Sequence, residues 1–169
     1  NDRIKFNYGN AQKIPFPDKH FENVYAIESA FHFEDKKKFI IESNRILKSN
    51  GRISIADIVI RTDYLKFRDW YKVSIAKHGL ATKEFYTKEK WVKLLTNKDF
   101  KDVKTVDITN NVSNVLPYWI DLINKNQQML LRLYPKIFLT MLCSCLTYQH
   151  RKMKQSPFGY ILVTAKKKK

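Results

Sequence analysis

His32 and Asp57 are the two residues whose types and positions most favour proton transfer. His32 follows the β-type apolar run that ends at Ile27, and Asp57 lies near the end of the run "RISIADIVI". If these runs form neighbouring parallel strands, both side chains lie at one carboxyl edge of a sheet. An imidazole held by a carboxylate can accept a proton near neutral pH. We therefore predict His32 and Asp57 as catalytic residues. The alternatives are a structural histidine at the sheet edge and a loop or helix-capping acid.

Apolar patterns predict the elements that would position these residues. "RIKFNY" alternates apolar residues, which predicts a short strand ending at Gly9, and Phe21–Ile27 predicts a second strand. The segment from Asp35 to Asn50 has helical spacing, and Gly51 suits its end. "RISIADIVI" is apolar with little alternation, which is typical of a strand covered on both faces. Strand, helix and strand in this order predict a right-handed parallel crossover.

The remainder of the chain predicts further helices and two more strands. Residues 63–78 have a helical pattern, and Thr87 can cap the helix that follows it. "DVKTVDI" predicts a strand, and "GYILVTAKKKK" predicts a closing strand. Between them, residues 114 to about 154 predict a long helical region broken at Pro135.

Composition indicates one globular domain with a strong positive charge. The 169 residues are 44% hydrophobic, and their formal net charge is +16. Such a field attracts nucleic acid and anionic membrane surfaces. However, the lysines are scattered and only the terminal KKKK forms a long basic run, so we favour solvated charged faces over a specific nucleic-acid site.

The cysteines and the hydrophobic runs bear on compartment. Cys143 and Cys145 are spaced wrongly for a zinc pair, so we predict buried thiols, a reducing compartment and no metal site. The apolar run from residue 137 to 146 is shorter than the roughly 20 residues that cross a bilayer. Residues 1 to 13 are polar and mixed, so we expect neither a hydrophobic leader nor a transmembrane segment. We expect a cytoplasmic protein.

Three segments in order carry a resemblance to a known family. They are "GNAQKIPFPDKHFENVYAIESAFHF", "FIIESNRILKSNGRISIADIVI" and "GYILVTAKK". Together they resemble the second half of a class I S-adenosylmethionine-dependent methyltransferase of the small-molecule type 11 kind. The resemblance implies an α/β fold: a doubly wound, Rossmann-like sheet comprising strands 3 to 7 of the family, lacking the first two, with a helical cap between strands 5 and 7.

The resemblance also implies the residues that bind the cofactor, S-adenosyl-L-methionine. Asn10 stands where the family usually has the Asp that accepts a hydrogen bond from the adenine amino group, with Gly9, Ala11 and Gln12 around it. The turn formed by Ile27 and Glu28 would pass beside the methionine end of the cofactor. A turn asparagine and a helix-turn acid are the structural alternatives for Asn10 and Glu28.

Methyl transfer is an in-line displacement that depends on alignment and on exclusion of water. Members of the family with "HH" after the fourth strand use the first histidine as base. Here that position is Phe31, and His32 is the histidine that remains.

The implied organisation is one partial methyltransferase domain. Residues 1–61 form the βαβ core, residues 62–98 and 114–156 form the helical cap and substrate region, and residues 99–112 and 158–166 form the closing strands. Without the first two strands, the strand at Phe21–Ile27 would expose an edge that invites pairing with another chain. We therefore expect a homo-oligomer or pairing with a missing N-terminal half, and marginal stability and weak cofactor binding by the chain alone.

The expected function is methyl transfer to an oxygen or carbon of a small, hydrophobic acceptor. A cap rich in aromatic residues suits a flat or lipid-like molecule, so we expect some of them to line its pocket. Two alternatives stay open. One is an inactive, truncated fragment of a methyltransferase. The other is a basic module that binds RNA or a membrane surface.

Overall fold

The computed structural model describes residues 4–61, 70, 73–74, 76–78, 81–152 and 156–169. These residues form a mixed α/β structure around one four-stranded sheet of order β1-β2-β4-β3. The strands are β1 (Phe21–Ile27), β2 (Leu47–Ile60), β3 (Phe100–Asp107) and β4 (Phe158–Lys167). Each of the four was predicted from its apolar pattern, and the Rossmann-like α/β class is confirmed.

Strand direction follows from the connections. β1 and β2 are parallel, as predicted for two strands joined by a helix, and Ile27 lies opposite Ala56. β4 runs antiparallel to both β2 and β3, and it brings Tyr160 opposite Ile58. β1 pairs with β2 alone within the described residues, so its other edge is open there, as expected.

The prediction of a strand in "RIKFNY" is wrong for the described part of that segment. Residues 4–9 have no regular secondary structure, and Phe6 is 95% exposed. An isolated extended segment has no partner for its backbone hydrogen bonds, and no described strand lies beside this one. Alternating apolar residues therefore do not suffice to make it a strand.

The first helix is shorter than predicted. α1 (Lys36–Ile46) begins as expected, because the Asp35 side chain accepts a hydrogen bond from the Lys38 N–H. It ends at Ile46 because Leu47, which is fully buried, already pairs with Phe21 in the sheet. Gly51 consequently lies within β2, where an added Cβ would come within 2.9 Å of the Lys48 carbonyl oxygen. Close packing, and not a helix end, explains this glycine.

The later helices follow the predicted pattern with additional breaks. α2 (Lys88–Thr96) begins after Thr87, whose side chain accepts a hydrogen bond from the Lys90 N–H. The region after β3 contains α3 (Thr109–Ser113), α4 (Val115–Lys125), α5 (Gln127–Leu130) and α6 (Lys136–Lys152). The start of a helical region at Asn114 and the break at Pro135 were predicted. The break beside Asn126 was not, and α3 shows that residues 109–112 are helical and do not belong to the closing strand predicted at 99–112.

Two predicted features lie partly outside the described residues. Of the helix at residues 63–78, the structure describes positions 70, 73–74 and 76–78, and these are helical. Of the two cysteines, Cys143 is half-buried and not fully buried as predicted, since it lines the groove between α4 and α6. The side chain of Cys145 is not among those described.

The core lies between the sheet and helices α1 and α2. The central strands β2 and β4 contribute Ile53, Ile55 and Val163, which pack against Ile40 of α1 and Trp91 of α2. A smaller apolar cluster lies near the carboxyl end of β2. It contains Phe31, Ile60, Val73 and Phe85, so the turn after β1 is attached to the end of the central strand.

Candidate active site

The turn after β1 carries the first polar group of the site. Glu28 follows Ile27 with a backbone φ of +46°, a left-handed conformation that is uncommon for a residue with a side chain. Its N–H donates a hydrogen bond of 2.9 Å to the Ala56 carbonyl of β2. The turn continues as a short 3-10 helix, Ala30–His32. The left-handed residue therefore directs the chain sharply from the strand end into this helix.

The side chain of Asp57 holds that turn through a hydrogen bond to the turn's backbone. The residue lies inside β2 and is fully buried, and its Oδ2 accepts a hydrogen bond of 2.7 Å from the Phe31 N–H. Its Oδ1 accepts one of 3.0 Å from its own neighbour, Ile58. Burial raises the pKa of Asp57 to about 7, although these backbone donors and Lys36 act in the opposite direction.

A buried lysine binds the backbone carbonyl of the same residue, Phe31. Lys36 is 3% exposed, and its Nζ donates hydrogen bonds of 3.0 Å to the Phe31 carbonyl and 3.1 Å to the Phe33 carbonyl. The Thr82 hydroxyl also donates to the Phe31 carbonyl. Burial lowers the pKa of Lys36, while Asp57 and Glu84 act to raise it. The Phe31 backbone is thus bound at its N–H by Asp57 and at its C=O by Lys36, and both of these side chains are buried.

His32 lies on the exposed side of this turn. Its ring packs on Phe31 at a centroid distance of 3.9 Å. No hydrogen bond joins His32 to Asp57 among the described residues, because the Asp57 oxygens bind backbone N–H groups. The structure therefore places His32 on the turn and Asp57 inside β2, bound to the turn through the Phe31 N–H, without the imidazole–carboxylate hydrogen bond that was predicted.

Tyr160 is a site residue that the sequence did not reveal. It lies at the start of β4, and its hydroxyl donates to Glu28 Oε1 at 3.1 Å and approaches the Ala56 carbonyl at 3.3 Å. Burial raises the pKa of Tyr160, and the nearby Glu28 and Asp57 carboxyls add to this effect. The sequence signal that could have indicated Tyr160 was a tyrosine near the start of a mostly apolar strand. A phenol in such a position usually has a polar partner.

Glu28 and Tyr160 lie at the wall of an apolar cavity of about 570 Å³. A cavity of this size fits a small organic molecule, and it has few polar groups that could orient one. Trp119 is one of the cap aromatics expected to line such a pocket. The lining residues are Glu28, Ile58, Ala76, Thr109, Val112, Val115, Leu116, Trp119, Leu146, Ser156, Phe158, Gly159 and Tyr160.

The predicted cofactor loop at residues 9–12 lies beside the start of α1. The Asn10 Oδ1 accepts a hydrogen bond of 2.8 Å from the Gln12 N–H, which leaves one lone pair of this exposed carbonyl open. The Gln12 Oε1 accepts one of 3.1 Å from the Asp35 N–H. Ala11 packs on the main core, and Gly9 is exposed, where an added Cβ would come within 3.1 Å of the Pro15 ring.

Arg45 stabilises the segment that follows this loop, and sequence reasoning missed it. Its guanidinium forms two hydrogen bonds with the Glu42 carboxylate, at 3.0 and 2.8 Å. It also donates to the carbonyls of Ile14 and Phe16 and to Asp18. Glu42 in turn accepts from the Ile14 N–H. One charged pair on α1 therefore binds the proline loop through backbone and side-chain contacts.

The remaining predicted cofactor residue, Ile27, is 69% exposed at the open edge. Contacts connect three of the predicted positions, Gln12, Glu28 and Asp57, through one segment, residues 28–35. Gln12 binds Asp35 at its end, Asp57 binds Phe31 in its middle, and Ala56 binds Glu28 at its start. The loop after residue 9 and the carboxyl ends of β1 and β2 therefore border a common region.

Other possible sites lie away from this region. A second cavity of about 510 Å³ lies between α4 and α6 and contacts none of the predicted residues. In the described part of the chain, no group of three or more His, Cys, Asp or Glu side chains could hold a metal ion. No described helix is long and apolar enough to span a lipid bilayer.

Comparison with known proteins gives consistent matches. Residues 1–55 match a family model described as a methyltransferase domain. The methyltransferase GfsG of Streptomyces halstedii is 40% identical over 60 residues, which are 36% of this chain and 22% of that protein. The (+)-O-methylkolavelool synthase of Herpetosiphon aurantiacus is 24% identical over 139 residues, covering 82% and 48% of the two chains. The chain thus spans less than half the length of these relatives.

A solved structure shares the fold over nearly the whole chain. It is the phosphoethanolamine N-methyltransferase 2 of Haemonchus contortus, bound to phosphomonomethylethanolamine and S-adenosylhomocysteine. The TM-score is 0.79 at 15% sequence identity, and the match covers 95% of this chain and 36% of that one.

Proposed function

We propose that the chain is part of a class I S-adenosylmethionine-dependent methyltransferase and that it transfers a methyl group to an oxygen or carbon of a small, hydrophobic acceptor. The observation that carries this proposal is the apolar cavity with the Glu28 carboxylate and the Tyr160 hydroxyl at its wall. An apolar body would be bound by the aliphatic and aromatic lining, and a polar group of the acceptor would reach Glu28.

The predicted loop and turn fit S-adenosylmethionine, which supplies an electrophilic sulfonium methyl group when bound. The open lone pair of the Asn10 carbonyl can accept a hydrogen bond from an adenine amino group. Arg45 holds the adjoining proline loop in one conformation, which lowers the entropy cost of binding. Ile27 and Glu28 would contact the methionine end. Bound S-adenosylhomocysteine in the Haemonchus contortus relative is consistent with this assignment.

Two side chains are candidates for removing the proton of an acceptor hydroxyl. His32 is exposed on the turn beside the site and can accept a proton from a hydroxyl that reaches it. Glu28 borders the cavity directly, and its carboxylate is an acceptor that already binds the Tyr160 hydroxyl. In both cases the new bond to the acceptor oxygen forms as the methyl–sulfur bond breaks, and the hydroxyl proton passes to the side chain.

Asp57 has a different role in this proposal. Its two oxygens are occupied by backbone N–H groups, so it positions the turn that carries His32 and Phe31. It acts through the turn and does not contact the acceptor. Lys36 shares this positioning role through the Phe31 carbonyl.

A radiolabelled assay tests the proposal. The protein is incubated with methyl-labelled S-adenosylmethionine and a panel of apolar alcohols and phenols, and label in the organic extract is counted. We expect transfer to at least one acceptor, abolished by Glu28→Gln or by His32→Gln according to which side chain removes the proton. Leu116→Trp, which narrows the cavity, should lower transfer to large acceptors and leave cofactor binding unchanged. Absence of both cofactor binding and transfer would contradict the proposal.

A further inference from the structure

We propose that the corner between α5 and α6 docks on the surface of an anionic lipid bilayer. Six large apolar residues define this corner, and each is more than 40% exposed: Leu131, Leu133, Tyr134, Ile137, Phe138 and Met141. Leu133 and Ile137 are 70% and 72% exposed. Clusters of this kind on a protein surface indicate a binding partner, because leaving them in water is costly.

The corner is an ordered structure that presents these side chains outward. The N–H groups of Leu133 and Tyr134 donate to the Leu130 carbonyl at 3.0 and 2.8 Å, which closes a tight turn before Pro135. The rings of Tyr134 and Phe138 stack at 5.5 Å. Residues 137, 138 and 141 lie on one face of α6, and Tyr134 reaches that face through its contact with Phe138. The exposed surface is therefore continuous across the turn and the start of α6.

The positively charged residues near the corner favour an anionic partner. Arg132 and Lys136 lie among the apolar residues, and both are exposed. From residue 122 to the end of α6 at residue 152, the sequence contains five Lys or Arg residues and no Asp or Glu. The last acid before this stretch in the sequence, Asp121, is paired with Lys125 at 2.7 Å. An apolar tip with basic neighbours is the composition that binds acyl chains and anionic headgroups together.

The alternative occupants fit less well. A second copy would bring an identical basic surface against this one, and the formal charge of +16 on each chain opposes that contact. RNA bases need flat rings on which to stack. Four of the six corner residues are aliphatic, namely Leu131, Leu133, Ile137 and Met141. Aliphatic side chains insert instead into the headgroup and acyl boundary of a bilayer.

Vesicle sedimentation tests this proposal independently of methyl transfer. The protein is mixed with vesicles of phosphatidylcholine alone or with about one-third phosphatidylglycerol. We expect at least 10-fold tighter binding to the anionic vesicles, weakened at high salt. The double variant Leu133→Ser/Ile137→Ser should lose about 10-fold or more, and Arg132→Gln/Lys136→Gln should lose several-fold.

A matched control is Ile41→Ser, which removes an apolar residue of α1 that is 43% exposed. This variant should bind vesicles as the parent does. Circular dichroism confirms that each variant is folded. Equal binding to both kinds of vesicle, or unchanged binding by Leu133→Ser/Ile137→Ser, would overturn the proposal. So would a dimer in size-exclusion chromatography that this double variant converts to a monomer while vesicle binding is absent in the parent.

Discussion

The Tyr160 hydroxyl donates a hydrogen bond of 3.1 Å to Glu28 Oε1, which joins residues 132 positions apart in the sequence. Glu28 directly follows the first strand, and Tyr160 lies near the start of the last. The contact connects the turn after β1 to the wall of the apolar cavity. It also fixes the direction of a carboxylate whose backbone is in the left-handed region.

Replacement of Tyr160 tests the importance of this contact. Tyr160→Phe keeps the apolar ring and removes the hydroxyl, so the Glu28 carboxylate loses its donor. We expect a loss of about 1 kcal/mol in the free energy of unfolding. We also expect a roughly 10-fold lower kcat/KM for methyl transfer, since Glu28 is no longer oriented. Chemical denaturation and the radiolabelled assay measure the two quantities.

Tyr25→Phe is the matched control, because Tyr25 lies on the edge strand and is 68% exposed. This variant should change neither the free energy of unfolding nor kcat/KM. A Tyr160→Phe variant with parental kcat/KM would show that the hydroxyl has no part in orienting Glu28.

Asp57 predicts a specific dependence of stability on pH. Burial raises the pKa of this carboxyl from its ordinary 3.8 to about 7 in the folded chain. The folded chain therefore binds the proton more tightly than the unfolded chain. The stability that this proton provides is complete below about pH 4 and is lost as pH rises toward 7. Between pH 4 and pH 7, the contribution of this proton to the free energy of unfolding falls by about 4 kcal/mol as an order of magnitude.

Asp57→Asn removes the titrating group and keeps an acceptor for the Phe31 N–H. The stability of the parent minus that of this variant should therefore fall between pH 4 and pH 7 and stay constant above. Denaturant titrations at pH 4, 5.5 and 7.5 measure it. Asp102→Asn, at an exposed acid, should give no such trend. A pH-independent difference for Asp57→Asn would contradict the raised pKa.

Lys36 is expected to stabilise the turn at residues 30–33 by its two hydrogen bonds to carbonyls. Lys36→Met keeps an unbranched apolar stem, and it removes the ammonium donor from the Phe31 and Phe33 carbonyls. The Phe33 carbonyl then loses the Lys36 donor, whereas the Phe31 carbonyl keeps the Thr82 hydroxyl. A buried acceptor without a donor costs about 1–3 kcal/mol, so we expect a loss of about 2 kcal/mol in the free energy of unfolding. Lys37→Met, one residue along at an exposed position, should cost almost nothing. Equal losses in the two variants would contradict this account.

Arg45 is expected to affect cofactor binding more than acceptor binding. Arg45→Lys keeps the charge but cannot form the paired contacts to Glu42 together with those to the Ile14 and Phe16 carbonyls. The loop next to Asn10 should then be less ordered. We expect a several-fold higher KM for S-adenosylmethionine and little change in the acceptor KM.

Initial-rate kinetics with each substrate varied in turn separate the two effects. Lys48→Gln removes an exposed ion pair with Glu22 and serves as the control, with no expected change. An equal rise in both KM values would indicate a general loss of structure instead of an effect on the loop.

Local patterns in the sequence determined the elements and the class of fold. The apolar run at Phe21–Ile27, the capping residues Asp35 and Thr87, and Pro135 each marked a boundary that the structure contains. These signals are local, because a cap or a run acts through its own few residues. Three segments in order also carried the resemblance to methyltransferases, and residues 1–55 match a methyltransferase family model.

Tertiary structure decided which of the predicted residues contact one another. The sequence paired His32 with Asp57, yet the backbone N–H of Phe31 occupies the carboxylate instead. It also indicated a strand at residues 4–8 and a longer first helix. Those outcomes depended on strand pairing, which is absent for residues 4–9 in the described structure and begins early at Leu47.

The contact between Glu28 and Tyr160 was the feature of the site that the sequence indicated least. Glu28 was recognised from its own turn, but its partner comes from a strand on the far side of β2. The sheet order and the antiparallel register of β4 bring the two side chains together. Local sequence determines the strands, whereas the pairing of distant strands determines the site, because hydrogen bonds across a sheet form only once the chain has folded.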